Sequence, residues 1–302
     1  MKKIFYLLTV IAAMFAITSC DKNGNSTTPT SPDDPKSGIE GTWVAVDTFF
    51  YNNSQWQQVT GRDIAMSDKE TGYNAVYIFR QGKMSALAYN GILDGDDFLY
   101  IKEDDTSAPI GVAVDYWMED GLFYTSLSPE GRSITYFDNK HMQIEGGYLL
   151  RKVDNLKQAP QENPLRNTYW TECDFDGNTS LIDVEGIDEA YYFTKFEEDG
   201  KHLFRSVVVK IDGVWYRGEN EKMMYIYAPN NKEVYFLYET SKNMYRVSLD
   251  AVQMLQENES IYLVNAWEYK YGNEIIRKYI KIDGTLIESI IESATPIENI
   301  NI

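Results

Sequence analysis

Short runs of β-branched and aromatic residues, each closed by a turn-forming pair, recur along most of this chain. Asp120-Gly121, Asp199-Gly200, Asp212-Gly213 and Asp283-Gly284 each separate two strand-like segments, as do Asp138-Asn139, Asn230-Asn231 and Gly272-Asn273. A two-residue turn between antiparallel strands needs positive φ, which Gly, Asn and Asp tolerate best. The pattern therefore predicts hairpins, most clearly Arg205–Ile211 against Val214–Gly218 and Tyr225–Tyr227 against Val234–Tyr238. In Ile261, Leu263, Trp267, Tyr269 and Tyr271 the odd positions form an apolar face, interrupted only by Asn265. Glu268 and Lys270 point the other way, as a half-buried strand requires. The 23 Tyr, 13 Phe and 6 Trp suit strands, where large side chains pack across a pleated surface. Two stretches read differently: Leu249–Leu255 as one short helical turn, and Leu286–Ile291 as either helix or strand.

A polar interval, DNLKQAPQENP at 154–164, divides the strand-rich sequence and reads as a linker. On either side the chain restarts in a similar way. Ile39-Glu40-Gly41-Thr42-Trp43 opens the first half, and Leu165-Arg166-Asn167-Thr168-Tyr169-Trp170 opens the second. Residues 39–153 and 165–302 are each of ordinary domain size. Each is expected to hold about eight to ten strands joined to their sequence neighbours. Such a meander leaves two exposed edges unless it closes, and closure into an up-and-down barrel removes both. The expected fold is all-β, with two antiparallel up-and-down β-barrel domains in tandem.

The N-terminus carries an address. Lys2 and Lys3 precede an apolar or small stretch from Ile4 to Ala16, followed by Ile17-Thr18-Ser19-Cys20. A charged start, a short apolar middle and small residues before a cut describe a secretory leader, residues 1–19. Its apolar run is shorter than the roughly 20 residues of a spanning helix. The cut site ending in Cys20 resembles the lipobox of bacterial lipoproteins. That resemblance implies that Cys20 becomes the mature N-terminus and is acylated, each buried methylene contributing about 0.8 kcal/mol. No later segment is apolar enough to span, so this anchor is the one membrane contact expected. Residues 21–38 hold no large apolar side chain, so a disordered tether of mean span roughly 20–25 Å is expected. The expected location is the bacterial cell envelope, anchored to the outer membrane.

Removing Lys2 and Lys3 from the 28 basic residues leaves 26 against 46 acidic ones, a net charge of −20. Such a surface repels phosphate backbones, which argues against a nucleic-acid partner. With Cys20 acylated, Cys173 has no cysteine to pair with inside the chain, so the core must supply the stability. Cys173 itself reads as a small buried hydrophobe.

Candidate chemistry is sparse. The two histidines, His141 and His202, each follow a turn and a lysine, in Asp138-Asn139-Lys140-His141 and Asp199-Gly200-Lys201-His202. A zinc site wants three or four clustered ligands, so both read as strand-edge residues beside hairpin turns. No Gly-x-Ser-x-Gly elbow is present, and no catalytic residue or cofactor is expected. From Asp174 the acidic loop places Asp176, Asn178 and Glu185 at the third, fifth and twelfth positions of a calcium-loop spacing. Thr179 stands where that loop needs its glycine, so an ordinary solvated loop is the simpler reading. Asp94-Gly95-Asp96-Asp97 and Glu103-Asp104-Asp105 read as solvated turns.

The first half resembles the lipocalin-like domains of Bacteroidetes lipoproteins. The matching elements are Gly41-Thr42-Trp43, the strand and turn Tyr77-Ile78-Phe79-Arg80-Gln81-Gly82-Lys83, and the closing Tyr148-Leu149-Leu150-Arg151-Lys152. The second half shares the Trp-led start, as Thr168-Tyr169-Trp170, but lacks a clean closing motif. The resemblance implies small barrels with an internal cup for an apolar or amphipathic ligand. Eight strands leave an interior that either fills with side chains or holds one small ligand. The expected function is that of a non-catalytic, lipid-anchored binding protein for such a ligand. The alternative is an interaction protein with filled barrels that meets a protein or glycan partner on its outer surface.

Overall fold

The computed structural model describes residues 38–52, 55–59, 69–101, 110–173, 186–241, 244–247, 252–257, 260–265 and 278–297. Backbone contacts divide the chain into two compact units, Met1–Gln158 with Asn243–Val247, and Ala159–Lys242 with Ser248–Ile302.

In the first unit the strands are β1 (Gly41–Asn52), β2 (Gln55–Val59), β3 (Lys69–Arg80), β4 (Lys83–Ala88), β5 (Asn90–Asp94) and β6 (Asp97–Ile101). They continue as β7 (Ile110–Glu119), β8 (Leu122–Thr125), β9 (Ser128–Arg132), β10 (Ile134–Tyr136), β11 (His141–Ile144), β12 (Leu149–Val153) and β13 (Asn155–Gln158). The main sheet runs β10-β11-β12-β1-β3-β4-β7-β8-β9. Only Ser133 separates β9, bonded to β8, from β10, bonded to β11, so the path returns on itself. Glu145 fastens that seam: its carboxylate accepts from the Ser133 N–H at 3.2 Å and from the Ser133 hydroxyl at 3.0 Å. The result is a closed or nearly closed antiparallel barrel.

β1 explains how this unit is layered. Its run Thr42–Val46 is apolar at nearly every position, the signature of a strand buried on both faces. Trp43 and Ala45 point into the barrel with Tyr77, Phe79, Met142 and Leu150. Val44 and Val46 point outward, onto Leu93 and Phe98 of a second sheet ordered β13-β6-β5. That small sheet revises two expectations. Residues 155–158, inside the interval read as a linker, form β13 and pair in parallel with β6. The turn at 94–97 is also more than a solvated acidic cluster. Asp96 accepts from Lys140 at 2.5 Å and Asp97 from Lys157 at 2.5 Å, while Asp94 is 1 % exposed. Asp96 ties the outer hairpin to Lys140 and Arg151 of the barrel, while Asp97 ties β6 to its neighbour β13. Residues 103–105 lie outside the described residues.

The later strands are β14 (Thr168–Cys173), β15 (Glu189–Phe196), β16 (His202–Ile211), β17 (Val214–Arg217), β18 (Glu221–Ala228) and β19 (Glu233–Ser241). After them come β20 (Met244–Val247), which groups with the first unit, then β21 (Val252–Glu257), β22 (Ser260–Asn265) and β23 (Lys278–Ile282). Helix α1 (Gly284–Ser293) and β24 (Thr295–Pro296) follow. Eight strands form a ring, β14-β15-β16-β18-β19-β21-β22-β23, closed where β23 pairs with β14. Every pairing around the ring is antiparallel. The anticipated hairpins form, with Ile211 opposite Val214 and Ile226 opposite Tyr235. Residues 266–277, with Gly272-Asn273, Trp267 and Tyr271, lie outside the described residues.

Two local readings change. Val252–Leu255 is strand rather than helical turn, because Val252 and Met254 face the core while Gln253 turns outward to the Asn231 carbonyl at 3.0 Å. Asp283-Gly284 is not a hairpin turn but the start of α1, where the Asp283 carboxylate accepts the Thr285 N–H at 2.9 Å. Asp serves turns and helix N-caps equally well; the 3–4 spacing of Ile287, Ile290 and Ile291 decides for the helix. These isoleucines pack onto Tyr169, Phe193 and Val208 on the outside of the ring.

Candidate functional site

Three places in the described structure can be weighed as sites: the barrel floors, a cleft beside one floor, and an exposed aromatic pair on the first barrel's wall.

The floors are built alike. In the first unit Ile39, 0 % exposed, plugs the barrel, and the Trp43 indole N–H donates to the Ile39 carbonyl at 2.8 Å. In the second, Leu165 is 0 % exposed, and the Trp170 indole donates to Thr168 Oγ1 at 2.8 Å, which in turn donates to the Leu165 carbonyl. Trp43 lies opposite Lys152 of the closing strand, and Trp170 opposite Lys281 of its own. β23 is thus the closing strand whose sequence offered no clean motif. Phe79 stands opposite Gly41 and Met84, and Phe196 opposite Thr168 and Leu203. Each phenylalanine meets a tyrosine edge to face: Tyr116 at 5.4 Å and 89°, Tyr225 at 4.8 Å and 80°. Both tyrosine hydroxyls bond the segment ahead of the first strand, Tyr116 to Glu40 Oε1 at 3.0 Å and Tyr225 to Asn163 Oδ1 at 3.2 Å. Burial is the main reason that each phenol is pushed up to about 12.

The residue after each plug also ties down the hairpin between the second and third barrel strands. Glu40 accepts the Gln81 N–H at 2.9 Å, and Arg166 donates to the Glu198 carbonyl. The charge is reversed and so is the direction of donation; the mechanical result is the same.

Above the first floor the described interior residues are closely packed. Trp43, Ala45, Tyr77, Phe79, Met84, Ala86, Phe123, Met142, Ile144 and Leu150 are all 0 to 2 % exposed, which leaves no water-sized void against them. The Tyr77 hydroxyl sits among them with no hydrogen-bond partner among the described residues, and burial raises its pKa far above the ordinary value.

Beside the second floor lies an open cleft of about 520 Å³, bounded by Arg166, the Glu197–Asp199 turn, His202, Phe204 and Lys222. Its charged groups mostly satisfy one another. Asp199 Oδ1 accepts the N–H groups of Lys201 and His202, both at 2.9 Å, and Oδ2 meets the His202 imidazole. Partial burial would raise the Asp199 pKa, but these bonds outweigh it and hold the carboxyl below its usual range. Arg166 is shared between the Glu198 carbonyl and the Glu162 carboxylate. The same device recurs at Asp138: its Oδ1 accepts from Lys140 at 2.7 Å and His141 at 2.8 Å, and Oδ2 lies 2.8 Å from His141 Nδ1. Both histidines begin a strand beside a hairpin turn, at β11 and β16. They therefore serve as turn fasteners. Among the described residues no group of three or more His, Cys, Asp or Glu is placed to hold a metal ion.

The third place was not singled out from the sequence. Trp117 on β7 stands opposite Tyr124 on β8, and the two rings are parallel within 6° at 5.5 Å. Trp117 remains 38 % exposed. The alternation in Val112–Glu119, with Val114 and Tyr116 buried and Trp117 next to them exposed, carries the signal: an indole on the outward face of a strand.

Cys173 ends β14, opposite Lys278. Cys20, the leader and residues 21–37 lie outside the described residues, as do Asp174, Asp176, Asn178 and Glu185 of the calcium-like loop. Among the described residues no helix is long and apolar enough to cross a membrane. No family model, curated protein or solved structure matches the chain.

Proposed function

We propose that this chain is a non-catalytic, lipid-anchored binding protein of the bacterial envelope, built from two lipocalin-like barrels in tandem, which meets its partner on the outer surface of its barrels. The tandem reading is supported by the two floors, in which indole, phenylalanine, tyrosine and facing lysine occupy the same register, with an aliphatic plug four residues before the indole in one and five in the other. The barrel fold is compatible with a protein that does no chemistry. The lipid anchor rests on the Lys2-Lys3 leader and Cys20.

The observation that supports the outer-surface reading is the close packing of the described residues inside the first barrel. An apolar ligand in an internal cup needs space where Phe79, Phe123 and Tyr77 already stand. Titrating the detergent-solubilised chain with fatty acids and environment-sensitive aromatic dyes tests it. No saturable binding is expected; stoichiometric uptake of a fatty acid would return the function to an internal cup. For the anchor, Cys20→Ala is expected to move the protein from the membrane to the soluble fraction. A variant still resisting salt and carbonate washes would contradict lipidation.

A further inference from the structure

On the outer face of β7, the alternate residues Asp115, Trp117 and Glu119 are all exposed, while Val114 and Tyr116 are buried and Met118 half-buried on the other face. Carboxylate, indole and carboxylate therefore follow one another along the strand, each about 7 Å from the next at the usual rise. Beside the indole, Tyr124 leans over β9. A Cβ placed at Gly131 would lie 2.6 Å from Tyr124 Cζ and Oη, so the glycine is what lets the phenol lie across that backbone. The indole and the phenol are stacked in parallel planes, so the phenol backs the indole and holds its ring in place. Asp115 is turned toward Lys83, with which it pairs across β4 and β7.

We propose that this surface binds a neutral saccharide chain, with a pyranose ring laid on the exposed indole of Trp117, backed by Tyr124, and its hydroxyls donating to Asp115 and Glu119. The proposal rests on the outer-surface reading above and names its ligand class. The face of an aromatic ring carries negative potential, which attracts the weakly positive C–H face of a sugar. Hydrogen bonds from hydroxyls to ionised carboxylates are charge-assisted and stronger than neutral ones. Charge selects against the alternatives: with Asp115 paired to Lys83, the Glu119 carboxylate beside the indole, on a chain of net charge −18, disfavours uronic acids, fatty acids and phosphates. A protein partner burying this face would need a cation for Glu119, whereas a polyol brings its own donors.

The test is affinity electrophoresis of the full chain in a polyoxyethylene detergent, through native gels containing soluble neutral glucans, xylans or mannans, with polygalacturonate as the anionic control. Retardation by at least one neutral polysaccharide and none by polygalacturonate is the expected result. Trp117→Thr, which keeps a strand-forming side chain, should reduce the affinity at least tenfold, and Trp117→Tyr should restore most of it. Should Trp117→Thr not fold, Tyr124→Thr supplies the same reading. Absence of retardation on every neutral polysaccharide, retardation unaffected by the substitutions, or stronger retardation on polygalacturonate overturns the proposal. None of these outcomes alters the fatty-acid titration, so the broader reading stands or falls separately.

Discussion

Tyr116 donates its phenolic hydrogen to Glu40 Oε1 across 3.0 Å, joining the middle of the first barrel to the segment that precedes its first strand. The same oxygen accepts the Gln81 N–H, so one carboxylate closes the floor from two sides. Tyr116→Phe should cost about 1 kcal/mol, the usual net worth of such a bond, with the barrel otherwise intact. Denaturant unfolding of the two chains measures it. An unchanged midpoint would mean that the floor does not depend on this contact.

Tyr77 should behave in the opposite way. Its hydroxyl is buried with no hydrogen-bond partner among the described residues, so the folded state bears its desolvation without compensation. Tyr77→Phe removes the oxygen and keeps the ring; it should leave stability unchanged or raise it by up to about 1 kcal/mol. A clear loss in the same unfolding experiment would reveal a partner for that oxygen.

Alkali should weaken the fold before these phenols titrate. Tyr116 and Tyr225 are raised to about 12 in the folded protein, against about 10 when unfolded. A raised folded pKa contributes stability that is whole below the unfolded value and is lost as pH climbs toward the folded one. Melting temperature is therefore expected to fall from about pH 10 upward. Ultraviolet titration of the folded chain should show these tyrosines ionising only after the others. A single ordinary tyrosine transition with no loss of stability would contradict this.

Acid should act on the two turn fasteners. Asp138 and Asp199 are held below the ordinary carboxyl range, so their contribution is present above about pH 4 and lost as pH falls through the lower folded values. Asp199→Asn should therefore be less stable than the parent at neutral pH, with the gap narrowing as the solution is acidified. Melting curves at several pH values read this directly. A gap constant down to pH ~2 would remove the carboxylate charge from the account.

Gly200 and Gly213 share positive φ, at +70° and +77°, but not surroundings. A Cβ at 200 would fall 2.0 Å from the Gln161 carbonyl oxygen, whereas one at 213 meets nothing within 4 Å. Gly213→Ala should cost about 1 kcal/mol for the backbone strain alone. Gly200→Ala should cost distinctly more, since the turn must also leave Gln161. Equal losses would show that the segment at 161 yields freely.

The hairpins were legible because their determinants are local. Asp120-Gly121 and Asp212-Gly213 set positive φ within the turn itself, and the flanking strands had only to pair with what lay beside them. The two restarts were legible too, since a large indole near the start of each half has few places to go but a core. Asp283-Gly284 misled because the same chemistry caps a helix, and only the isoleucines beyond it separate the cases. The role of Asp96 and Asp97 was hidden, since Lys140 and Lys157 reach them from more than forty residues away.

Sequence by itself determined that these strands form, where they turn, and that two Trp-led segments each begin a unit. Those outcomes follow from backbone conformation and from the gain on burying aromatic surface, both of which act over a few residues. Tertiary structure alone decided that the described residues inside the first barrel pack closely on one another, that His141 and His202 are occupied by their own aspartates, and that Trp117 is left outside beside Tyr124. Whether a barrel is hollow depends on how large side chains from strands distant in sequence meet around one axis. Whether an aromatic residue is exposed depends on which face of a closed sheet it occupies. Neither is a property of the neighbours of a residue along the chain.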